Sequence, residues 1–91
     1  MMRFEWDEAK AAANLAKHGV SFNEAATVLS DALGWSYPDL DHSLAEDRWL
    51  AIGMSERQRI LVVAYTADAD TIRLISARQA TRKERNFYEE G

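Results

Sequence analysis

Cysteine is absent from the 91-residue chain, which excludes disulfides, thiolate zinc sites and cysteine nucleophiles. That absence suits a reducing compartment. Proline occurs once and glycine four times, too few for a disordered or low-complexity segment. The longest apolar run, residues 60–65, falls far short of the roughly 20 residues that cross a bilayer. The start, Met1-Met2-Arg3-Phe4-Glu5-Trp6-Asp7, lacks the apolar stretch of a signal peptide. The expectation is a cytoplasmic protein that does not engage a membrane. No phosphate-binding glycine loop, dinucleotide glycine pattern, Gly-x-Ser-x-Gly or His-Glu-x-x-His is present. Any chemistry falls to arginine, lysine, histidine, tyrosine and carboxylates, and no cofactor is expected.

What is present fits one small globular domain over residues 1–91: 47% hydrophobic and 29% charged residues. The net charge of −4 argues against a generic nucleic-acid binder. The charge is segregated, however. Residues 1–47 hold three basic and nine acidic side chains, whereas residues 48–85 hold eight basic and four acidic.

Local signals mark the elements. Asp7 caps a helix over residues 8–17, with Trp6, Ala9, Ala13 and Ala16 along one side and Gly19 as a left-handed stop. Ser21 and Glu24 form a capping box for a second helix, in which Phe22, Ala25, Ala26 and Leu29 make one buried face. It should end near Ser30-Asp31. The period then changes to alternation. Strands are expected at residues 33–37, 48–53, 60–66 and 71–78, the third of them apolar and central. Thr81 and Glu84 box the start of a last helix that runs through Glu89. Residues 3–5 allow a short extra strand. Helices segregated from a strand meander imply an α+β fold with a four-stranded antiparallel sheet.

The densest chemical feature is basic: Arg73, Arg78, Arg82, Lys83 and Arg85 lie within thirteen positions, with Glu84 the one acid. Strict alternation puts Arg73 and Arg78, five apart, on opposite faces unless the strand bends. Arg78 ends its strand beside a helix N-terminus, a place suited to phosphate. Arg82 sits in that first turn, where a cation is unfavourable without an anionic partner. Arg82, Lys83 and Arg85 read equally as solvation of the helix. Arg48 and Arg59 flank apolar strands, and a meander could bring Arg48, Arg59 and Arg78 to one rim. His18, after Lys17, is either a titrating group or a cap on the last carbonyls. Asp39-x-Asp41-His42 is too loose for a metal site and reads as a solvated loop, so no metal is expected. Trp6, Trp35 and Trp49 read as core, though one could stack on a base.

Several stretches together resemble the BrnT family. They are Phe4-Glu5-Trp6-Asp7 with Lys10 and Asn14, then Lys17-His18-Gly19-Val20-Ser21-Phe22 with Glu24-Ala25, and Arg48-Trp49-Leu50-Ala51-Ile52-Gly53. The last runs from Ile72-Arg73-Leu74-Ile75-Ser76-Ala77-Arg78 into Ala80-Thr81-Arg82-Lys83-Glu84-Arg85 and Tyr88. The resemblance implies a RelE-like fold and a toxin that cleaves RNA without metal. It implies neutralisation by BrnA, a ribbon-helix-helix antitoxin, in a heterotetramer that touches DNA only through the antitoxin. Arg48, Arg78 and His18 then become catalytic candidates, with Arg59 added from the strand rim. Lys17, Arg73 and Arg82 become substrate-binding candidates. The competing class is a non-catalytic module that docks a partner peptide on a basic sheet surface. A DNA-binding repressor is disfavoured, since no basic recognition helix is evident.

Overall fold

Helix boundaries follow capping chemistry. The computed structural model describes residues 2–41 and 47–90. In α1 (Glu8–His18) the Asp7 carboxylate accepts the Lys10 N–H at 3.0 Å, and Gly19 closes the helix in the left-handed region at φ 69°. In α2 (Phe22–Val28) the Ser21 hydroxyl accepts the Glu24 N–H at 3.0 Å. The chain then tightens through i→i+3 bonds at Leu29, Ser30 and Asp31, so the α-helix stops before the expected Ser30-Asp31. In α3 (Arg82–Glu90) both halves of the capping box form. Thr81 N–H donates to Glu84 at 2.8 Å, and Glu84 N–H donates to the Thr81 hydroxyl at 3.2 Å.

The sheet corrects the four-stranded antiparallel expectation. It has five strands in the order β1 (Arg3–Glu5), β5 (Thr71–Gln79), β4 (Ile60–Asp68), β3 (Arg48–Met54), β2 (Trp35–Pro38). β1 pairs parallel to β5, with Arg3 opposite Thr71 and Glu5 opposite Arg73, so the sheet is mixed. The fold class remains α+β. β2 begins at Trp35 and includes Pro38, which an outer strand tolerates because its missing N–H takes no ladder bond.

Helices cover the two faces unequally. Val20, Phe22, Ala25 and Val28 meet Ala51, Leu61, Val63, Leu74 and Ala77 in the main core under α1 and α2. Trp6 packs edge-on against Phe22 at 5.9 Å. On the other face Ile52, Val62 and Ala80 make a small cluster with Leu50, Tyr37 and Tyr88. α3 crosses that face without a buried residue of its own. Trp6 and Trp49 pack on the main core as expected. Trp35 does not; it stands on the outermost strand, largely exposed against Phe87 at 5.7 Å.

β1 is only three residues long, which leaves the edge of β5 bare beyond Arg73. Asn14 takes the place of a strand there. Its amide donates to Ala77 O at 2.8 Å and to Val20 O at 2.9 Å, and its carbonyl accepts the Ala77 N–H at 3.0 Å. Each such bond is worth about 1 kcal/mol net. The inward side of α1 is therefore Ala11, Asn14 and His18, while Ala9, Ala13 and Ala16 face solvent.

Candidate nucleic-acid interface

One irregularity in β5 decides which face Arg73 and Arg78 take. Tyr65 pairs with Leu74, yet Ala64 pairs with Ser76, so Ile75 is an extra residue in the ladder. The bulge flips the side-chain parity. Leu74 and Ala77, three apart, both enter the main core. Arg73 and Arg78, five apart, therefore share the opposite face, which corrects the opposite-face expectation. Arg48 joins them: it lies across from Thr66, which lies across from Arg73. Trp49 and Ala51 point into the main core, so Arg48 and Leu50 take the face that carries α3.

Arg78 reaches the last helix. Its guanidinium donates to both Glu84 oxygens, at 2.7 and 3.0 Å. The same carboxylate closes the capping box, so one glutamate joins the strand end to the helix N-terminus. Hydrogen bonding from Arg78 holds the Glu84 carboxyl down to about 2 against its usual 4.5. The same bond raises the Arg78 pKa. Tyr37, beside this pair, has its phenol pushed up by burial and by the Glu84 charge.

A depressed carboxylate stabilises the fold above its unfolded pKa and loses that contribution as pH falls toward the folded one. For Glu84 the window runs from 4.5 down to about 2. Partial exposure of Arg78 limits the contribution to on the order of 2 kcal/mol. Melting temperature measured against pH should show wild type above Glu84→Gln at pH 6, with the gap closing as pH approaches 2. A gap that persists at low pH would rule out this assignment.

The other candidates divide into two places. Arg73 makes a 3.4 Å surface pair with Glu5, and Arg82 is exposed in the first turn of α3. Lys17 and His18, at the end of α1, share a cleft of about 220 Å³ with Lys10, Asn14, Ile75 and Ser76. Ser76 lies on β5 between Arg73 and Arg78, so this cleft opens at the bulged stretch itself. Lys10 was visible in the sequence only as part of a family stretch; its seven-residue spacing from Lys17 puts both on one side of α1.

Arg59 is elsewhere. It precedes β4 in the turn after β3, and it reaches toward α2. Its Nε donates to Glu24 Oε2 at 2.9 Å, and its Nη2 donates to Glu24 Oε1 and to Gly19 O. Ser55 Oγ–H donates to the same carboxylate at 2.7 Å. Glu24 is buried, and the Arg59 bond keeps its carboxyl below the usual range. The shared rim of Arg48, Arg59 and Arg78 does not form: Arg48 lies at the Thr66–Arg73 end of the sheet, Arg78 lies beside Val62 four residues away along β4, and the buried Glu24 draws Arg59 to the face covered by α2. Sequence reading placed Glu24 in a capping box and in a family stretch, and its side chain has left the box for Arg59.

Among the described residues no cluster of acidic residues and histidines could hold a metal ion, and no helix is long and apolar enough to cross a membrane. His42 lies outside the described residues.

Comparison with known proteins places this geometry. No curated protein matches the chain. The crystal structure of the Brucella abortus ribonuclease toxin BrnT superposes with a TM-score of 0.69 at 30% identity, over 90% of this chain and 100% of that one. Residues 6–84 match the family described as ribonuclease toxin, BrnT, of type II toxin–antitoxin system. With that match spanning both the α1 cleft and the arginine-bearing strands, the chain belongs to the BrnT family of ribonuclease toxins of type II toxin–antitoxin systems.

Proposed function

We propose that the chain is a metal-independent endoribonuclease of RelE-like type, acting in the cytoplasm, that stops growth by inhibiting translation. In this reading a BrnA-type ribbon-helix-helix antitoxin neutralises it, in a heterotetramer. The observation that supports the catalytic part is the bulge at Ile75, which puts Arg73 and Arg78 on the sheet face that carries Arg48, while Ile75 and Ser76 line the Lys17–His18 cleft.

The chemistry follows from those side chains. The ribose 2′-hydroxyl attacks the adjacent phosphate, a base takes its proton, and an acid returns one to the leaving 5′-oxygen. His18 carries the imidazole that can serve as either. Arginine forks hold the non-bridging oxygens as charge builds on them. Arg48, Arg73 and Arg78 supply that charge across the sheet face, and Lys17 and Arg82 steer the strand from either side. The local basic face offsets the acidity of the whole chain.

Purified protein should cut single-stranded RNA in EDTA and leave 2′,3′-cyclic phosphate and 5′-hydroxyl ends. His18→Ala should slow cleavage by about 10²–10⁴-fold, the usual worth of a general acid–base group, without moving the melting temperature by more than a few degrees. Cleavage that stops in EDTA defeats the metal-independent reading. RNA left intact by folded protein, both free and on ribosomes, leaves the protein-docking alternative.

A further inference from the structure

A run of exposed apolar side chains lies at the β2 edge of the sheet, next to the Arg78–Glu84 pair. Leu33 is 75% exposed, Trp35 44%, Leu40 85% and Phe87 50%. They follow outermost strand β2 and the outer side of α3. Trp35 stands between two clefts. One, of about 390 Å³, has walls of Trp35, Tyr37, Ile52 and Phe87, with Lys83 and Glu84 at the rim. The other, of about 420 Å³, is bounded by Leu33, Gly34, Trp35 and Tyr88. Exposed apolar surface of this extent on a small protein marks an interaction site.

The shape and charge select the occupant. The surface continues along a strand edge for the length of β2 and splits around one tryptophan, which suits a polypeptide with apolar side chains spaced to enter both clefts. Aromatic anchors in such pockets dominate protein–protein binding. At the first cleft the Glu84 charge is already held by Arg78, so Lys83 sets the local sign and favours an acidic neighbour in the partner. The family is one of toxins paired with antitoxins. We propose that the β2–α3 edge is the antitoxin-docking surface. An antitoxin segment lays one apolar side chain on each side of Trp35 and an acidic side chain against Lys83. The proposal rests on the toxin reading and places the antitoxin on the β2 edge, next to the Arg78–Glu84 pair, while the Lys17–His18 cleft lies at the β5 edge.

The test uses a Trp35→Ser/Phe87→Ser variant and, in parallel, Leu33→Asp, which alters a side chain too exposed to threaten folding. The partner is the purified protein encoded by the adjacent reading frame. Calorimetry measures its affinity, induction with and without it measures growth arrest and rescue, and light scattering gives the size of the toxin alone. The expected result is growth arrest as in wild type for both variants, with rescue lost. Affinity should fall at least 100-fold for the double variant and at least 10-fold for Leu33→Asp. Affinity within threefold of wild type for Leu33→Asp and for a folded double variant overturns the proposal. So does loss of RNA cleavage with antitoxin affinity kept, which would make the edge an RNA site. A wild-type dimer that Leu33→Asp dissociates without changing antitoxin affinity would make it a self-association surface. If wild type neither arrests growth nor cuts RNA, the ribonuclease reading fails, and calorimetry still decides the docking surface.

Discussion

Arg59→Ala should lower the melting temperature by roughly 15–25 °C, the largest stability loss expected from one surface-reaching side chain. Glu24 is 3% exposed at its side chain and Arg59 24%, so the pair is shielded from water. Removing one member of a buried pair costs about 3–5 kcal/mol, and Arg57, 3.8 Å from Glu24 but mostly exposed, offsets little of it. In a domain of this size each kcal/mol moves the melting point by about 4–8 °C. The loss extends beyond the pair. Ser55 Oγ, bonded to Glu24, also accepts the N–H groups of Arg57 and Arg59, and the Glu56 N–H bonds Thr27 on α2. The β3–β4 turn is thus tied to α2 through the carboxylate that Arg59 neutralises. Replacing both partners by methionine should recover much of the loss, because no buried charge then remains. Melting of Arg59→Ala within 3 °C of wild type would refute the pair's structural role. Cleavage lost from Arg59→Ala at a temperature where it stays folded would return Arg59 to the active site.

What the sequence made legible was chemistry that acts over a few residues. Asp7, Ser21 and Thr81 announce their helices because a cap needs only an oxygen three residues from an N–H. Gly19 announces a stop because its left-handed backbone is costly for other residues. The apolar, β-branched run at residues 60–66 announces a strand covered on both sides. The resemblance to BrnT, carried by several such short stretches in order, gave the family. What stayed hidden depends on distant partners. Three residues at 3–5 become a strand only because β5 has a free edge to receive them. The extra residue at Ile75 leaves no mark in composition, yet it decides that Arg73 and Arg78 share a face. Arg59 and Glu24 are 35 positions apart, and the bond between them takes the Glu24 side chain out of the capping box and Arg59 away from the face of Arg48 and Arg78. Trp35 alternates like a core residue, and only the order of the strands puts it at the edge.

Arg78→Ala should reduce RNA cleavage by about 30–1,000-fold, the equivalent of 2–4 kcal/mol of transition-state stabilisation, by analogy with removing one oxyanion donor. Two roles compete for this side chain. Its fork is engaged by Glu84, which makes it an anchor between β5 and α3. Its side chain is also 41% exposed on the face shared with Arg48 and Arg73, which leaves one side open to a phosphate. Three variants, each assayed for cleavage and for melting, separate the roles. Arg78→Ala removes both and should lower both readouts. Arg78→Lys keeps a charge near Glu84 but loses the planar fork. It should retain most of the melting temperature while recovering only part of the cleavage. Glu84→Gln keeps the arginine and releases it from its anion. If Arg78 stabilises the transition state, cleavage by Glu84→Gln should hold or rise even as the melting temperature falls. If Arg78 is only an anchor, cleavage in all three should follow melting, and measurements well below each melting point should show wild-type rates. Full cleavage by folded Arg78→Ala removes Arg78 from the site and leaves Arg48 with the Lys17–His18 pair as the groups that hold the phosphate and move its protons.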